Sequence, residues 1–461
     1  MQLPAGRHFA VAWHIPDDYG GMTSALLHRS RAFARLGGVP VDVLTFDARP
    51  DYPVLEERMR ATGELCDGVG LINLYDWLRA HPLPGGRPYD KVRTPFAPLA
   101  DGEPALSHGV ALSRTRWADD GTVLQRDHYR LDGSLLLSDR RDGPEGRSVV
   151  LCDAAGRPVR GWLRMRSLYA AWLDALTGDE PAFLLIDSTV SAQNLIGYRR
   201  PRTTLVHVLH NIHLADPADP LGELRPRRRQ VLENLSAFDG VVVLTRRQRT
   251  ELDARLGPLP HLEVLPNARP LPRRGRLVRD PRHAVVLASL TGRKKVQRAI
   301  RAVGGIPGAR LDIFGTGDRR AFLEEVAREQ RHAAITFHGH RPDARERLAD
   351  ASLLLLTSRF EGAPLVLVEA MAAGCLPIAT DVRYGPRDLI RPGLTGWVVP
   401  PGNQAALDRA VARAMSLPAS RLAVMRIAAR LAARRYRDAP VTRGWRRLLR
   451  RLARDASRRA T

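Results

Sequence analysis

The chain has 461 residues, 44% of them hydrophobic, and carries a formal net charge of +23. This length is sufficient for two or three domains with substantial cores, and the apolar content excludes a disordered chain. No segment approaches the roughly 18–20 uninterrupted apolar residues that span a bilayer.

The cysteines and the first residues indicate where the protein works. Cys66, Cys152 and Cys375 are few and widely spaced, which argues against a disulfide framework and fits a reduced compartment. Residues 1–16 lack the basic start and apolar run of a secretory signal. We therefore expect a cytoplasmic protein.

The first residues have the pattern of a β-loop-α-β unit. Strands are predicted over residues 9–14 and 39–46, with a helix over 23–36 between them. Thr23 or Ser24 is the expected cap of that helix.

The loop before this helix contains Gly20 and Gly21. It does not match the G-x-G-x-x-G fingerprint, so the sequence lacks the main signal for binding of a nicotinamide cofactor. A Gly-Gly turn is equally compatible with a purely structural loop.

Residues 85–165 change to short apolar runs that are separated by turn signals. These signals are Asp120-Gly121, Asp132-Gly133 and the segment 153–156. Their rhythm predicts antiparallel hairpins rather than βαβ units. We interpret the segment as a β-rich insertion in the first domain; a structural elaboration without function is the alternative.

An α/β pattern then resumes. Strands are predicted over residues 183–187, 204–209 and 240–245, and residues 266–280, with Pro270 and Pro272, read as a linker. Alternating strands and helices in both halves predict two Rossmann-like parallel-sheet domains that face a cleft.

The predicted organisation has five segments. They are a first part of the N-terminal domain (1–84), the β-rich insertion (85–165), a second part of the N-terminal domain (166–275), a C-terminal Rossmann-like domain (276–437) and a basic amphipathic helix (438–461).

The segment from residue 360 to residue 374 is the most informative. Glu361 and Glu369 lie eight residues apart across a turn that opens an apolar helix. Gly362 permits close approach of the backbone to a ligand, and Pro364 suits a first helical turn. Free amides from Leu365 onward form a natural seat for phosphate. The alternative is a buried βα unit whose glutamates only cap the helix.

The last 41 residues are strongly basic. Residues 421–461 contain fourteen arginines against Asp438 and Asp455, a local charge of +12. Their pattern predicts a basic amphipathic helix that lies on an anionic membrane surface or holds a polyanionic acceptor; the alternative is a terminal helix that packs its apolar stripe on the protein. Nucleic acid is not expected, because no zinc pattern or recognition helix accompanies the charge. The stripe consists of Trp445, Leu448, Leu449 and Leu452.

Lysine is rare in this arginine-rich chain, which indicates a coding bias and weakens inferences from the high charge. The only lysines are Lys91, Lys294 and Lys295. Two of the three therefore occur in one segment near the start of the second domain, where a compact ammonium is not interchangeable with a guanidinium.

Together these segments resemble the retaining, nucleotide-sugar-dependent glycosyltransferases of the E-x7-E type (glycosyltransferase family 4), which have the GT-B fold. Leu290 and Lys294 match the family's G-R-L-x-x-E-K pattern, and residues 312–317 and 337–340 match its glycine turn and its base-binding turn. The resemblance covers most of residues 1–80 and 167–435.

A subgroup resemblance is carried by the insertion and by residues 71–76 and 381–386. These look like poly(glycerol-phosphate) alpha-glucosyltransferases and related wall teichoic acid or adhesin glycosyltransferases. In that group the additional module binds acceptor or joins subunits, which implies an acceptor site or a homo-oligomer here.

The resemblance implies roles for individual residues. Lys294 would neutralise the leaving phosphate, Glu361 would hold the sugar hydroxyls and His210 would lie near the reacting centre. A lone histidine at a strand end is otherwise more often structural. Donor binding would involve Gly20, Gly21, Arg293, Lys295, Gly315, His340, Gly362, Pro364, Leu365 and Glu369, the last on the ribose.

One departure from the family pattern concerns the diphosphate. Ser289 stands where the family has arginine, and Arg293 replaces the family's glutamate. Arg293 or Lys295 is the expected substitute cation. No Asp-x-Asp occurs, so we expect neither a metal nor a cofactor beside the UDP-sugar donor.

We therefore predict a metal-independent hexosyltransferase that uses a UDP-sugar. Its expected acceptor is a cell-envelope molecule such as a teichoic-acid-like polyol phosphate or a lipid-linked glycan, reached in the cytoplasm or at the inner face of the membrane. The alternative is a catalytically silent GT-B partner that binds acceptor and supports an active enzyme. Glycogen-synthase-like enzymes share the E-x7-E pattern, but this class does not account for the insertion.

Overall fold

The computed structural model describes residues 2–89, 96–107, 109–143, 146–259, 261–271 and 275–460. The chain forms two compact units. Unit 1 comprises Met1–Val208, Asn234–Gly240 and Arg446–Thr461, and unit 2 comprises Leu209–Glu233 and Val241–Trp445. The five predicted segment boundaries stay predictions. Pro272 of the predicted linker lies outside the described residues, as do parts of the predicted insertion (90–95, 108, 144 and 145).

Unit 1 contains a parallel sheet flanked by helices. Its strands lie side by side in the order β3-β2-β1-β11-β12. Strands β11 and β12 are buried along their whole length, as expected of a parallel sheet covered on both faces. The elements are β1 (Arg7–Val11), α1 (Gly21–Ala32), β2 (Val41–Thr45), α2 (Tyr52–Ala61), β3 (Val69–Asn73), α3 (Leu74–Ala80), α4 (Met165–Thr177), β11 (Ala182–Ile186), α5 (Thr189–Leu195) and β12 (Thr203–Leu209).

The start of α1 differs from the prediction. Gly20 is the N-cap residue and no side chain caps the helix, so the predicted cap by Thr23 or Ser24 is wrong. Thr23 lies inside the first turn and is buried. The helix continues through a π-helical turn, Phe33–Gly37, and ends at Gly38, whose φ of 67° favours glycine.

The predicted β-rich insertion is confirmed as an antiparallel sheet. Its seven strands follow the order β4-β10-β9-β8-β7-β6-β5. They are β4 (Arg87–Pro88), β5 (Glu103–Ser107), β6 (Val110–Trp117), β7 (Val123–Tyr129), β8 (Leu135–Gly143), β9 (Gly146–Cys152) and β10 (Pro158–Trp162).

Two of the predicted turns in this sheet are closed in the same way. Asp120 accepts a hydrogen bond from the amide of Thr122, and Asp132 accepts one from the amide of Ser134, at 2.8 and 2.9 Å. Gly121 and Gly133 between them have positive φ values of 78° and 83°. The Asp-Gly pairs thus supply both the side-chain acceptor and the left-handed residue that a tight turn requires.

Asn73 connects β3, α3 and the end of β2. Its Oδ1 accepts from the amides of Tyr75 and Asp76, and its Nδ2 donates to Thr45 Oγ1 and to the carbonyl of Asp47. Because the side chain is buried, its removal leaves several polar groups without partners. We expect Asn73→Ala to lower the free energy of unfolding by about 2 kcal/mol, measured by urea denaturation.

Asn403→Ala is the matched control for this prediction. Asn403 is exposed and caps a helix of unit 2 by accepting a single side-chain hydrogen bond from the amide of Ala406. Its replacement should cost only about 1 kcal/mol. Equal losses in the two variants would contradict the connecting role of Asn73.

Unit 2 contains a six-stranded parallel sheet in the order β17-β16-β15-β18-β19-β20. Numbered within this sheet, it is the 3-2-1-4-5-6 order of a doubly wound nucleotide-binding sheet, whose ligand crevice lies where the order reverses. Here the reversal falls between β15 and β18. The elements are α6 (Pro226–Glu233), β13 (Gly240–Val243), α7 (Arg246–Leu256), β14 (Leu262–Val264), β15 (His283–Leu287), α8 (Val296–Gly304), β16 (Ala309–Phe314), α9 (Arg320–Arg328), β17 (Ala333–Gly339), β18 (Leu353–Leu356), α10 (Leu365–Ala373), β19 (Leu376–Thr380), α11 (Pro386–Leu389), β20 (Trp397–Val399), α12 (Gln404–Ser416) and α13 (Ala419–Ala433). The last helix, α14 (Asp438–Ala460), belongs to unit 2 up to Trp445 and to unit 1 from Arg446.

The basic C-terminal segment is the helix α14, and its apolar stripe is covered by protein. Trp445, Leu448, Leu449 and Leu452 are at most 3% exposed. Within unit 1, a Cβ added to Gly240 would lie 2.8 Å from Leu452, so the helix packs closely there. Packing of the apolar stripe on the protein is thereby confirmed, and binding of the basic face to an anionic membrane or a polyanionic acceptor stays a prediction. Among the described helices, none is long and apolar enough to cross a membrane.

Candidate active site

The loops after β15 and β18 meet at the point where the strand order of unit 2 reverses. The first loop, residues 288–295, is tied back by bonds between the amide of Leu290 and the carbonyl of Thr316, and between the amide of Lys294 and the carbonyl of Thr291. It ends at Lys295, the N-cap of α8, with a left-handed φ of 50°. Thr357, after β18, donates its hydroxyl to the carbonyls of Lys294 and Lys295 at 3.0 Å. The two loops are therefore held against each other.

Glu361 is the centre of this arrangement. Its Oε1 accepts from Lys294 Nζ and from Ser358 Oγ, both at 2.6 Å, and lies 3.1 Å from an Arg293 guanidinium nitrogen. The carboxylate is buried, with 8% of the residue exposed. Burial raises the pKa of Glu361, but the charges of Lys294 and Arg293 and the two hydrogen bonds outweigh it, so the pKa lies below its ordinary value. The group is ionised at neutral pH.

The backbone of Glu361 is fixed as firmly as its side chain. Its amide donates to the carbonyl of Arg383 at 2.8 Å, and its carbonyl accepts from the amide of Tyr384 at 2.7 Å. The preceding Phe360 lies under two guanidinium groups, those of Arg225 at 4.6 Å and Arg293 at 5.6 Å.

Gly362 brings this loop against the segment that contains His210. A Cβ added at Gly362 would lie 1.8 Å from the carbonyl oxygen of His210, so only glycine fits. His210 follows β12 directly and is half-buried. The backbone of His210 therefore lies beside Gly362, the residue that follows Glu361.

Helix α10 begins where the sequence predicted. Pro364 is its N-cap residue in an extended conformation, and Leu365 is its first helical residue. No side chain caps this helix, and its first turn contains no acidic residue. The first amides therefore have no side-chain acceptor, and the helix dipole favours an anion at this end.

Glu369 lies one turn further along α10 and is buried. Its Oε1 is 3.4 Å from the Nε of Arg269 and 3.3 Å from the Nε of Arg345. Two guanidinium groups therefore neutralise this carboxylate, and its binding of ribose stays a prediction.

Gly315 and His340 follow the neighbouring strands β16 and β17. A Cβ added at Gly315 would lie 1.9 Å from the carbonyl oxygen of Ala288, and the residue has a φ of 135°. The turn after β16 therefore packs directly on the loop after β15. His340 is exposed beyond the end of β17.

All predicted site residues except Gly20 and Gly21 belong to unit 2. Those two glycines are exposed at the start of α1 in unit 1, and a Cβ on either would meet no atom within 4 Å. Their predicted role in donor binding stays a prediction.

Sequence reasoning missed the residues that hold Glu361 in place. Ser358 bonds its carboxylate, and Arg383 and Tyr384 bond its backbone. The resemblance of residues 381–386 to a glycosyltransferase subgroup was a usable signal for the last two. Among the described residues, no group of His, Cys, Asp and Glu is arranged to hold a metal ion.

Comparison with known proteins agrees with this geometry. Residues 270–431 match the family model of glycosyl transferases group 1. The chain is 22% identical to the poly(glycerol-phosphate) alpha-glucosyltransferase of Bacillus subtilis (strain 168) over 89% of this chain and 70% of that protein. It is 18% identical to the poly(ribitol-phosphate) alpha-N-acetylglucosaminyltransferase of Staphylococcus aureus (strain COL) over 85% and 89% of the two chains.

Solved structures show the same fold. A mutant of S. aureus TarM in complex with Fondaparinux, alpha-GlcNAc-glycerol and UDP superposes with a TM-score of 0.76 at 16% identity, covering 96% of this chain and all of that one. A chain of a GtfA/B complex gives 0.74 at 18% identity, covering 97% and 100%.

The fold and the matched domain define a glycosyltransferase of the GT-B class. Residues 270–431 match the glycosyl transferases group 1 domain, and the similarity of the chain to the poly(glycerol-phosphate) enzyme agrees with a glycosyltransferase. The predicted fold class and the resemblance to poly(glycerol-phosphate) alpha-glucosyltransferases are thereby confirmed.

Proposed function

We propose that this glycosyltransferase transfers a hexose or an N-acetylhexosamine from a UDP-sugar to a polyol-phosphate polymer or a lipid-linked glycan of the cell envelope, with retention of configuration and without a metal ion. The observation that carries the proposal is the Lys294–Glu361 pair, which lies where the strand order reverses. Glu361 precedes the first residue of α10 by four positions.

The reaction demands charge at two places. The bond between the anomeric carbon and the β-phosphate oxygen breaks, an acceptor hydroxyl enters on the same face, and its proton leaves with the phosphate. Lys294 and the first amides of α10 stabilise the departing diphosphate, a preorganised effect that commonly dominates catalysis. Glu361 holds the sugar hydroxyls, and Glu369 binds the ribose at the other end of the donor. His210 steadies the sugar or the acceptor.

The choice of substrates is supported by the relatives. Two of them are named for glucose or N-acetylglucosamine transfer to glycerol-phosphate or ribitol-phosphate polymers, and the TarM structure contains UDP. The net charge of +23 suits an anionic acceptor.

The test is UDP release from UDP-glucose and from UDP-N-acetylglucosamine, first without acceptor and then with poly(glycerol phosphate). We expect slow hydrolysis of one donor that collapses in Glu361→Ala and Lys294→Ala. Chelation by EDTA should leave the rate unchanged, whereas loss of activity that Mg²⁺ restores would contradict metal independence. Failure to bind UDP at all would overturn the UDP site.

A catalytically silent partner is the second candidate, and Ser289 favours it. This serine is exposed and stands where the resembled family has an arginine, one of its two cations for the diphosphate. Arg293, with 35% of its side chain exposed, and Lys295 are the cations in the same loop that could replace it.

Restoring the missing cation separates the two candidates. We expect Ser289→Arg to raise kcat/KM for the donor about 10-fold, because a charge-assisted hydrogen bond contributes about 1.5 kcal/mol. Ser289→Gln, which adds length without charge, is the control. Activity that appears only in Ser289→Arg would instead support the silent partner.

A further inference from the structure

A buried network around Glu251 has no part in the proposed mechanism. Glu251 lies on α7, with 12% of its side chain exposed. Its Oε1 accepts from Arg383 Nε at 2.8 Å and from Arg247 Nε at 3.0 Å, and its Oε2 accepts from the hydroxyl of Tyr384 at 2.6 Å. The same hydroxyl lies 3.2 Å from Nδ1 of His213, and both of these residues are fully buried.

The hydrogen-bond distances fix the direction of this chain. A tyrosine hydroxyl has one proton, and the short contact to the carboxylate of Glu251 takes it. The Nδ1–H of His213 therefore donates to Tyr384 Oη, which leaves Nε2 unprotonated and without a partner among the described residues. Burial lowers the pKa of His213 to about 4, against the attraction of Glu251, and burial also raises the pKa of Tyr384. Both groups are thus neutral at pH 7.

The network joins the two segments that carry candidate catalytic groups. Arg383 and Tyr384 exchange two backbone hydrogen bonds with Glu361. His213 lies three residues after His210, whose carbonyl is in contact with Gly362. The ring of Tyr384 also packs with Ile212, Leu214 and Phe360. A shift of Glu251 would therefore be transmitted to both segments.

Arg383 ties a further stretch of the same unit to this network. Its terminal nitrogen donates to the carbonyl of Pro217 at 2.6 Å. Gln248, which lies one turn before Glu251 on α7, donates to the carbonyl of Asn211 at 2.9 Å. Helix α7 is thus joined to the segment after His210 directly through Gln248, and indirectly from Glu251 through Tyr384 and Arg383.

We infer that Glu251 is a positioning residue of the glycosyl transfer: through Tyr384 and Arg383 it holds Glu361 and the segment of His210 in register. The inference rests on the proposed function, because it needs Glu361 and His210 to act on the donor. Glu251 itself touches neither reacting group.

The experiment measures kcat and KM for the UDP-sugar together with UDP binding in Glu251→Gln, Tyr384→Phe and the double variant. We expect kcat to fall about 10- to 100-fold in Glu251→Gln, since a displacement near 1 Å costs rates of that order, while KM and UDP binding change less than about 3-fold. Tyr384→Phe should lower kcat less, and the double variant should resemble Glu251→Gln, because both changes interrupt one chain of contacts.

Glu324→Gln is the matched control. Glu324 on α9 forms the same kind of pair with an arginine four residues earlier, Arg320, but 40% of its side chain is exposed and it lies outside the site. It should leave kcat unchanged.

The outcomes separate the two proposals. An active wild-type chain with equal kcat in Glu251→Gln and Glu324→Gln overturns the inference alone. Wild-type protein that binds UDP-sugar but releases no UDP, with or without acceptor, overturns the proposed function and the inference with it. If Glu251→Gln does not fold, as judged by circular dichroism, Tyr384→Phe decides: wild-type kcat overturns the inference, and a lower kcat at unchanged KM supports it.

Discussion

Replacing Lys294 with alanine is expected to lower kcat/KM for sugar transfer by about 10²- to 10³-fold. Its ammonium is the cation nearest to Glu361, at 2.6 Å, and its side chain is only 16% exposed. Removal of a preorganised charge from a largely buried position is poorly compensated by solvent. Quenched assays that measure UDP formation under single-turnover conditions would separate this chemical step from product release.

The same variant should change the pH profile. In the wild-type chain, Lys294 is the largest of the influences that hold the pKa of Glu361 below its ordinary value against burial. Without it, burial is opposed only by Arg293 and Ser358 and the pKa of Glu361 rises, so the acidic limb of the kcat/KM profile should move to higher pH. An unchanged limb would contradict the ionised state assigned to Glu361.

Arg301→Ala is the control for charge alone. Arg301 is an exposed cation on α8, two turns beyond Lys294, and takes no part in the site. Its removal lowers the net charge by the same amount. Equal losses in Arg301→Ala and Lys294→Ala would show that overall charge, rather than a local contact with the diphosphate, governs the rate.

Gly362→Ala is expected to abolish most of the activity, with kcat at least about 10²-fold lower. The added Cβ would lie 1.8 Å from the carbonyl oxygen and 2.7 Å from the carbonyl carbon of His210, so backbone must move. Either the loop of Glu361 or the segment of His210 is displaced, and their common geometry is lost. Overpacking of this kind should also lower the free energy of unfolding by about 1–3 kcal/mol.

Gly305→Ala provides the comparison. Gly305 ends α8 with a φ of −79°, and an added Cβ would have its nearest neighbour at 4.0 Å. This variant should keep wild-type kcat and stability. Wild-type activity in Gly362→Ala would mean that the contact with His210 is not needed for the reaction.

Several parts of the site could be read from the sequence because they depend on neighbours along the chain. Pro364 followed by an apolar run predicted the start of α10, and the Asp-Gly pairs predicted the hairpins of the insertion. These are local effects of φ preference and side-chain acceptors. The cap of α1 was missed because Thr23 is buried inside the first turn and Gly20, without a side chain, takes the cap position.

Long-range contacts were beyond local rules. Glu251 is separated by 132 residues from Arg383 and by 133 from Tyr384, and its position in the sequence resembles an ordinary exposed helix position. Likewise, the stripe of α14 is amphipathic whether it meets lipid or protein, and only its burial distinguishes the two.

The sequence by itself determined the class of this protein: a GT-B glycosyltransferase with a β-rich insertion and a candidate site built around Lys294, Glu361 and the start of α10. The class follows from the resemblance of several separate segments to a known family, and the hairpins and the start of α10 follow from local backbone preferences. Only the tertiary structure decided how Glu361 is held, because the partners of its backbone and the network of Glu251 come from strands and helices that the fold brings together. Burial then set the charge states, since desolvation and neighbouring cations act through space and not along the chain.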